Sequence, residues 1–197
     1  ILILVAMKRW YLYPFSVAYD IVTGIRNTGY NLGFLKSTRF KTPIINVGNL
    51  SVGGSGKSPM VMYLAELLSK NYRTAVLSRG YGRVTKGYEI TNYDSNYKTV
   101  GDEAMQLFQR FKNKFVIGVC EDRVAGATKL IYDMDLEVLV LDDAYQHRAI
   151  KAGFNILMTD YNDPYFKDYL LPAGDLRESR SGYRRANIIM VSKCPPD

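Results

Sequence analysis

Short apolar runs separated by polar and glycine-rich stretches organise the chain from residue 42 onwards. Six of these runs have the length and β-branched content typical of buried strands: residues 42–49, 74–78, 114–119, 136–141, 154–160 and 187–192. Between them, apolar residues recur at helical spacing in residues 57–69, 102–111 and 122–132. Strands that alternate with helices in this way predict an α/β domain with a mostly parallel sheet and helices on both faces.

Aromatic and basic residues dominate the segment that precedes this pattern, residues 1–41. Its single acid is Asp20, against the cations Lys8, Arg9, Arg26, Lys36, Arg39 and Lys41, and its aromatic residues include Trp10, Tyr11, Tyr13, Phe15 and Tyr19. Such a composition suits a membrane interface. The apolar run that ends at Met7 is far shorter than the roughly 20 residues of a membrane span. We expect an N-terminal amphipathic helical segment that either lies on a membrane surface or packs on the domain's own flank.

The bulk composition narrows the possible partners and chemistries. With 197 residues and 47% apolar content, the chain can bury the core of one domain, and its net charge of +7 favours an anionic partner. Cys120 and Cys194 are isolated thiols without disulfide or metal spacing, which favours a reducing, cytoplasmic compartment. His147 is the only histidine, so a multi-histidine metal site is excluded. The basic residues do not belong to a recognised base-reading fold, so nucleic acid is not an expected partner.

The stretch GNLSVGGSGKS, residues 48–58, has the form of a phosphate-binding loop between a strand and a helix. We predict nucleotide contacts from Gly53, Gly54, Ser55, Gly56, Lys57 and Ser58. The glycines let backbone N–H groups approach phosphate oxygens, and the helix that follows directs its positive end to the same place. Lys57 would reach the β- and γ-phosphates, and the Ser58 hydroxyl would bind Mg²⁺. Ser51 stands where the usual pattern has glycine, so this is a variant loop; the alternative is a glycine turn with an incidental GKS.

An acidic pair, Asp142-Asp143, follows the apolar run that ends at Leu141 and resembles a Walker B strand. Carboxylates at this position lie at the carboxyl edge of a parallel sheet, where the phosphate loop also opens. One of them can hold Mg²⁺, directly or through water, while the other orients a neighbour. The alternative is an ordinary acidic turn after a core strand.

Five motifs in one order resemble the tetraacyldisaccharide 4'-kinase family, the lipid A kinases of Gram-negative bacteria. They are VGNLSVGGSGKSP, SRGYGR (78–83), VGDEA (100–104), DDAYQH (142–147) and LPAGDLRE (171–178). The resemblance implies a P-loop NTPase-like fold that transfers the γ-phosphoryl group of ATP, with Mg²⁺, to the 4'-hydroxyl of a tetraacylated glucosamine disaccharide 1-phosphate. It also implies a peripheral location on the cytoplasmic face of the inner membrane, and it favours the membrane interpretation of the N-terminal segment. The resemblance does not predict an oligomeric state.

The resemblance also assigns roles to individual residues. Asp102 would be the catalytic base, with Glu103 beside it near the metal; Asp102 is also placed like a helix N-cap, and both roles are compatible. The full set implied by the family is Asp102, Lys57, Glu103 and Arg177 for catalysis, Arg79 and Arg83 for anionic oxygens, and Ser58, Asp142, Asp143, Gln146 and Glu103 for the metal. Arg79 and Arg83 are alternatively surface arginines of a turn. His147 either helps Gln146 to orient metal-bound water or is a structural histidine bonded to the backbone.

Residues 1–41 are thus predicted to form a membrane-associating segment and residues 42–197 a P-loop kinase core. The chain begins without methionine, with Met7 as a candidate start, and stops after a predicted strand, so we expect a fragment. In the family, a histidine of the C-terminal half assists the base. Two other functions remain open from the residues alone: a soluble P-loop NTPase that acts as a switch or metallochaperone, and a nucleotide-binding module without turnover.

Overall fold

The computed structural model describes residues 9–196, and the expectations for Met7 and the first eight residues lie outside this range. Seven strands follow the order of the chain: β1 (Ile44–Asn49), β2 (Thr74–Ser78), β3 (Glu89–Ile90), β4 (Val116–Val119), β5 (Val138–Asp142), β6 (Phe154–Asp160) and β7 (Ile188–Ser192). The α-helices are α1 (Tyr13–Asn31), α2 (Lys57–Leu68), α3 (Tyr97–Val100), α4 (Asp102–Phe111) and α5 (Arg123–Met134). Short 3₁₀ helices occupy Trp10–Leu12, Lys112–Lys114, Tyr165–Lys167 and Arg180–Arg185.

The strands form one sheet in the order β3-β4-β2-β5-β1-β6-β7. All neighbouring strands are parallel except β3, which pairs antiparallel with β4 at one edge. One apolar cluster packs β1, β2 and β5 against α2 and α4, and a second packs the other face of the sheet against α5. The predicted fold class is therefore confirmed, with β1 and β5 adjacent at the centre of the sheet.

Most predicted strands and helices agree with the structure to within two residues at each end. The β-branched and apolar residues of β1, β2 and β5 are almost fully buried, and burial of both faces explains why they read as continuous apolar runs. Strand β3 was not predicted, because two residues are too few to show a period. The strand predicted at residues 114–119 begins later, at Val116, because residues 112–114 form a 3₁₀ turn.

Helix α1 turns polar side chains towards the domain and apolar side chains outwards. Its one buried residue is Ser16, whose hydroxyl donates to the Leu170 carbonyl (2.9 Å). Tyr19 Oη donates to the Arg177 carbonyl at 2.9 Å, and Arg26 donates to the Gln146 carbonyl at 2.8 Å. The exposed apolar side chains of the helix and the turn after it are Tyr13, Phe15, Val17, Ile21, Val22, Ile25, Leu32, Phe34 and Leu35. Helix α1 therefore packs on the domain's flank through polar contacts and leaves these apolar side chains exposed.

No helix within residues 9–196 has the length and apolar content to cross a membrane.

Candidate functional site

The phosphate loop connects β1 to α2 in the predicted position. Gly56 is the N-cap of α2 and adopts φ 79°, a left-handed conformation that favours glycine. The backbone N–H groups of the first helical turn therefore open towards the loop, as an anion site at a helix N-terminus requires. Lys57 extends back over the loop, with its ammonium 3.3 Å from the Gly53 carbonyl.

The structure explains why serine is tolerated at the first loop position. Ser51 pairs with Leu176 in an isolated antiparallel bridge, so its backbone is extended and a side chain causes no strain. The flanking backbone groups continue this pairing: Val52 N–H donates to the Asp175 carbonyl and Arg177 N–H donates to the Leu50 carbonyl, each at 2.7 Å. The LPAGDLRE segment is thus fixed against the phosphate loop, which places Arg177 beside it.

A large open cavity of about 800 Å³ lies at the carboxyl edge of the sheet, between the loop and the acidic strand end. Eight of the predicted site residues line it: Gly53, Lys57, Arg79, Glu103, Asp142, Asp143, Gln146 and Arg177. Its remaining lining includes Tyr19, Thr23 and Arg26 of α1. The cavity therefore joins the phosphate loop, the acidic pair and the N-terminal helix.

Asp142 is a buried carboxylate of this cavity whose pKa is strongly raised. Its side chain is 3% exposed, and its Oδ2 atom has no hydrogen-bond partner among the described residues. Burial, followed by the charges of Glu103 and Asp143, raises the pKa of Asp142 to about 7, although Lys57 and Arg123 oppose the shift. A buried carboxylate with an unused oxygen and two acidic neighbours fits the first ligand of a divalent cation.

Asp143 bridges the two predicted cationic residues. Arg177 Nη1 donates to both Asp143 carboxylate oxygens at 2.9 Å, and the Lys57 ammonium lies 3.8 Å from Oδ1. Burial lowers the pKa of Lys57, and the charge of Asp143 counteracts this. Asp143 therefore orients the cations that would contact phosphate oxygens, which is the second role that the sequence analysis left open for the acidic pair.

Within residues 9–196, no group of three or more His, Cys, Asp or Glu side chains is placed to hold a metal ion by itself. A site for Mg²⁺ does not require such a group, because proteins usually bind that ion with one or two carboxylates while substrate phosphates and water complete its octahedron. Gln146, another predicted metal residue, uses its amide within the protein: Nε2 donates to the Asn49 carbonyl (2.8 Å) and to Glu178 Oε1 (3.1 Å).

We expect the affinity for Mg²⁺ to fall as the pH is lowered. Protons compete with the metal for Asp142, whose pKa is raised to about 7, so the dissociation constant should increase about tenfold per pH unit below about 7 and stay level above it. Stabilisation by Mg²⁺, followed by thermal unfolding between pH 5.5 and 8.5, measures this. Equal affinity at the two ends of the range would contradict the assignment of Asp142 as a metal ligand.

Six predicted site residues lie outside the lining of the large cavity: Gly54, Ser55, Gly56, Ser58, Arg83 and Asp102. Arg83 is held by Glu121 Oε1 at 2.6 Å, and its side chain is only 2% exposed, so its contacts are structural. Ser58 lies in the first turn of α2. Asp102 is exposed at the start of α4, next to Glu103, which does line the cavity. The N-cap interpretation of Asp102 is wrong: the cap is Gly101, and Asp102 is the first helical residue.

Gly101 connects the GDE motif to the arginine loop. It adopts φ 86° and ψ 162°, a conformation that only glycine populates readily, and a Cβ there would lie 2.6 Å from the Tyr81 carbonyl oxygen. The backbone of the SRGYGR loop thus packs directly on the residue that starts α4. This contact fixes where Asp102 and Glu103 begin their helix.

Replacing Gly101 with alanine should destabilise the protein by roughly 3 kcal/mol, which lowers the Tm by roughly 6–12 °C at this chain length. The matched control is Gly24→Ala in α1, where a Cβ would meet nothing within 4 Å. There alanine should leave the Tm unchanged or raise it slightly, since it favours helix. Thermal unfolding of both variants checks this, and equal Tm values would contradict the close packing at Gly101.

Two residues that the sequence analysis missed complete the site. Arg123 is 4% exposed, lines the large cavity and donates to the Cys120 and Glu121 carbonyls at 3.3 and 3.2 Å. Glu178 is 3% exposed and accepts hydrogen bonds from Asn27 of α1 and from Arg185. A single arginine after a predicted strand cannot be recognised as a site residue from one sequence. Glu178 could have been recognised as a site residue only from its place in the LPAGDLRE motif.

His147 borders the large cavity without a side-chain partner for Nε2 in the described part of the chain. Burial and the charge of Arg123 lower its pKa, which favours the neutral ring. Its side chain makes no hydrogen bond to the backbone within residues 9–196, so the structural alternative is not supported.

The strand-loop-helix unit, the buried acidic strand end and the parallel sheet define a P-loop nucleotide-binding fold. Comparisons with known proteins specify the family. A family model described as "LpxK: Tetraacyldisaccharide-1-P 4'-kinase" matches residues 8–197. The chain belongs to this family, and the resemblance seen in its motifs is confirmed.

Individual relatives agree with this membership. The tetraacyldisaccharide 4'-kinase of Flavobacterium johnsoniae is 50% identical over 190 residues, which cover 96% of this chain and 56% of the relative. That of Bacteroides thetaiotaomicron is 46% identical, with 98% and 51% covered. A crystal structure of LpxK from Aquifex aeolicus in complex with ATP superposes with a TM-score of 0.87 at 41% identity, covering 95% of this chain and 59% of that one. The chain spans about half the length of the curated relatives it matches.

Proposed function

We propose that this chain is the nucleotide-binding part of an ATP-dependent lipid kinase. The reaction is transfer of the γ-phosphoryl group of ATP to the 4'-hydroxyl of tetraacyldisaccharide 1-phosphate, which gives lipid IVA. The observation that carries the proposal is the convergence of Lys57, Asp142, Asp143 and Arg177 on one cavity in a member of this family. Residues 42–197 would form the kinase core and residues 1–41 the membrane-associating segment.

The site residues are suited to positioning and charge neutralisation, which phosphoryl transfer chiefly requires. The loop residues Gly53–Gly56 and Lys57 would hold the β- and γ-phosphates, and Arg177 and Arg79 would contact the transferred group from the cavity wall. Asp143 keeps Lys57 and Arg177 in place through its two ion pairs.

Proton and phosphoryl movements can be assigned to atoms. The 4'-hydroxyl oxygen forms the new bond to the γ-phosphorus as the bond to the β,γ-bridging oxygen breaks and ADP leaves with that electron pair. The hydroxyl proton passes to the Asp102 carboxylate, with Glu103 beside it at the cavity. Asp142 and the Ser58 hydroxyl would hold Mg²⁺, with Gln146 and Glu103 near it. When bound, Mg²⁺ neutralises charge that develops on the phosphate oxygens.

The outward apolar face of α1 supports a membrane surface as partner. Nine apolar side chains of α1 and the following turn are exposed, while polar contacts attach the helix to the domain. A tetraacyl substrate stays in the bilayer, so an enzyme that lies on the surface reaches its headgroup directly. We propose peripheral attachment to the cytoplasmic face of the bacterial inner membrane.

Vesicle flotation tests this attachment. The chain should float with vesicles that contain anionic lipid, and the double substitution Ile21→Glu and Ile25→Glu should lower the bound fraction roughly tenfold or more, because two charges would enter the interface. The matched control is Tyr132→Glu, a residue that is 86% exposed on α5. A double variant that floats as well as the unchanged chain would contradict the role of α1.

A soluble P-loop NTPase and a binding module without turnover are the competing functions. Release of ADP distinguishes all three, measured in detergent micelles with and without tetraacyldisaccharide 1-phosphate, on this chain and on a version extended along its own reading frame. The kinase proposal expects ADP release to depend on the lipid acceptor. Acceptor-independent release would favour the NTPase, and nucleotide binding without release in either protein would favour the binding module.

A further inference from the structure

A cavity of about 380 Å³ lies between the C-terminal end of α1, the loop from β5 to β6 and the strands β1 and β6. Tyr30 and Asn31, the last two residues of α1, line one side, and Asn46 and Asn155, which are paired in the sheet, line another. No residue of the phosphate loop lines it, and of its lining residues in the described part of the chain only His147 also borders the large cavity. This basic cavity is therefore a space separate from the nucleotide site.

Cations without a full set of counter-charges line the basic cavity. None of its lining residues within residues 9–196 is an aspartate or a glutamate. Arg185 is paired with Glu178, which lies outside the lining, at 2.7 Å. Arg148 donates to the neutral Asn31 Oδ1 at 2.7 Å, and burial, followed by the charge of Arg185, lowers the pKa of Arg148. Lys151 is exposed, and its ammonium forms no ion pair among the described residues. Arg148 and Lys151 therefore favour an anionic ligand.

A buried hydrogen-bond acceptor lies in the wall of the same cavity. The Asn46 side chain is 4% exposed, and its Nδ2 donates to Asn155 Oδ1 at 3.0 Å. Its Oδ1 has no partner among residues 9–196, although buried polar groups in folded proteins are almost always hydrogen-bonded. The ligand therefore carries a donor beside its negative group. An amino group would bring a positive charge towards Arg148 and Lys151, so a hydroxyl group fits better.

An apolar turn adjoins the basic cavity. Leu32, Phe34 and Leu35 are exposed; they follow Asn31 and precede Ser37, both of which line the cavity. The turn and α1 also form an apolar groove of about 700 Å³. Both belong to the surface that the proposed function places on the membrane. A ligand in the basic cavity therefore lies close to the lipid headgroups, with an apolar groove beside it.

We propose that the basic cavity binds the headgroup of an anionic phospholipid that carries hydroxyl groups, such as phosphoglycerol. Arg148 and Lys151 contact the phosphate, Asn46 Oδ1 accepts a hydrogen bond from a glycerol hydroxyl, and an acyl chain follows the apolar groove. The volume has room for roughly a dozen water-sized atoms, which suits a headgroup of this size. This inference rests on the proposed function, because it takes the membrane surface from it. The bound lipid is distinct from the one that is phosphorylated.

Flotation with phosphatidylcholine vesicles that contain equal fractions of either phosphatidylglycerol or phosphatidylethanol tests the site. Both anionic lipids carry one negative charge, but phosphatidylethanol lacks the glycerol hydroxyls. We expect this chain to bind the phosphatidylglycerol vesicles roughly fivefold more tightly, the size of one hydrogen bond. Lys151→Glu should abolish this preference, because the phosphate is then repelled from the cavity.

The matched control is Lys36→Glu. Lys36 is exposed between Leu35 and Ser37 but does not line the cavity. This change should weaken binding to both kinds of anionic vesicle equally and keep the preference for phosphatidylglycerol. A general attraction between cations and anionic lipid would show no preference to lose, so the ratio of the two affinities is the diagnostic quantity.

NMR of the ¹⁵N-labelled chain, saturated with Mg-ADP, separates a membrane phospholipid from the kinase substrate as the source of the phosphate. Glycerol 1-phosphate should shift the side-chain amide resonances of Asn46, and Lys151→Glu should prevent the shift. Glucosamine 1-phosphate, which represents the phosphorylated end of the substrate, should require higher concentrations. The opposite order would assign the cavity to the substrate and overturn the inference.

The remaining outcomes separate this inference from the proposed function. Equal binding to the two kinds of anionic vesicle would overturn the headgroup site and leave membrane attachment intact. Loss of the preference in Lys36→Glu as well as in Lys151→Glu would also overturn the site, because the cavity would then not be its cause. Failure of the chain to float with any of the vesicles would overturn the proposed membrane attachment, and this inference with it.

Discussion

Replacing Asp142 with asparagine is expected to abolish phosphoryl transfer and, at the same time, to stabilise the metal-free protein at alkaline pH. Activity should fall roughly 1,000-fold or more, because the metal ligand supplies several kcal/mol of transition-state stabilisation and about 1.4 kcal/mol corresponds to tenfold in rate. The measurement is lipid-dependent kinase activity in a version of the chain extended along its own reading frame. Asp94→Asn, an exposed carboxylate, is the control.

The gain in stability follows from the direction of the Asp142 pKa shift. The pKa is raised from 3.8 to about 7 in the folded protein, so the folded state binds the proton more tightly than the unfolded state does. Stability is therefore fully present below about pH 4 and is lost as the pH rises towards 7. Asparagine does not ionise, so the variant does not lose this stability as the pH rises. Its free energy of unfolding at pH 8 should therefore exceed that of the unchanged protein by on the order of 2–4 kcal/mol.

Denaturant unfolding at pH 5 and pH 8 without Mg²⁺ measures that difference. The advantage of the Asp142→Asn variant should be larger at pH 8 than at pH 5, and Mg²⁺ should reduce it by stabilising only the unchanged protein. A variant that is less stable than the unchanged protein at pH 8 would contradict the description of Asp142 as a buried, uncompensated carboxylate.

The second large effect is expected from Asp102→Asn, which should lower transfer by roughly 10²–10⁴-fold, the range of a general base. Asparagine keeps the shape of the side chain but cannot take the hydroxyl proton. Because Asp102 makes no capping hydrogen bond and is exposed, its replacement should leave folding and ATP affinity unchanged. Kinetic measurements on the extended protein test the loss of transfer. Titration of this chain with ATP tests whether its ATP affinity is unchanged.

Asp122→Asn is the matched control for Asp102. Asp122 is the N-cap of α5, where its side chain accepts hydrogen bonds from Val124 and Ala125 N–H, and asparagine caps a helix equally well. The control should therefore retain activity. An Asp102→Asn variant that transfers phosphate at the unchanged rate would remove the base assignment, and one that loses ATP affinity would show a role in binding instead.

The sheet and the phosphate loop could be predicted because their signals are local. Buried parallel strands such as β1 and β5 are short apolar runs, and the loop is a fixed spacing of glycine, lysine and serine. The acidic pair follows a strand, and the rule that strand ends share one edge of a parallel sheet places it beside the loop. These steps need no knowledge of distant contacts.

The rest of the site depends on contacts between residues far apart in the chain. Arg83 was predicted to face the nucleotide, and only the position of Glu121 shows that its charge is already used. Glu178 contacts Asn27 and Gln146, which are 151 and 32 residues away in the chain, and one sequence gives no sign that Glu178 or Arg123 is buried. The exposed apolar face of α1 likewise became evident only when its polar face was seen against the domain.

The most direct test of the proposed function is transfer of label from γ-labelled ATP to tetraacyldisaccharide 1-phosphate in mixed micelles, with the position of the new phosphate established by ³¹P NMR. This chain and a version extended along its own reading frame are compared, each with its Asp102→Asn variant. The extended protein should label the 4'-position, and Asp102→Asn should lower this labelling roughly 10²–10⁴-fold. If neither protein labels the lipid although both bind Mg-ATP, the assignment as a lipid kinase is contradicted.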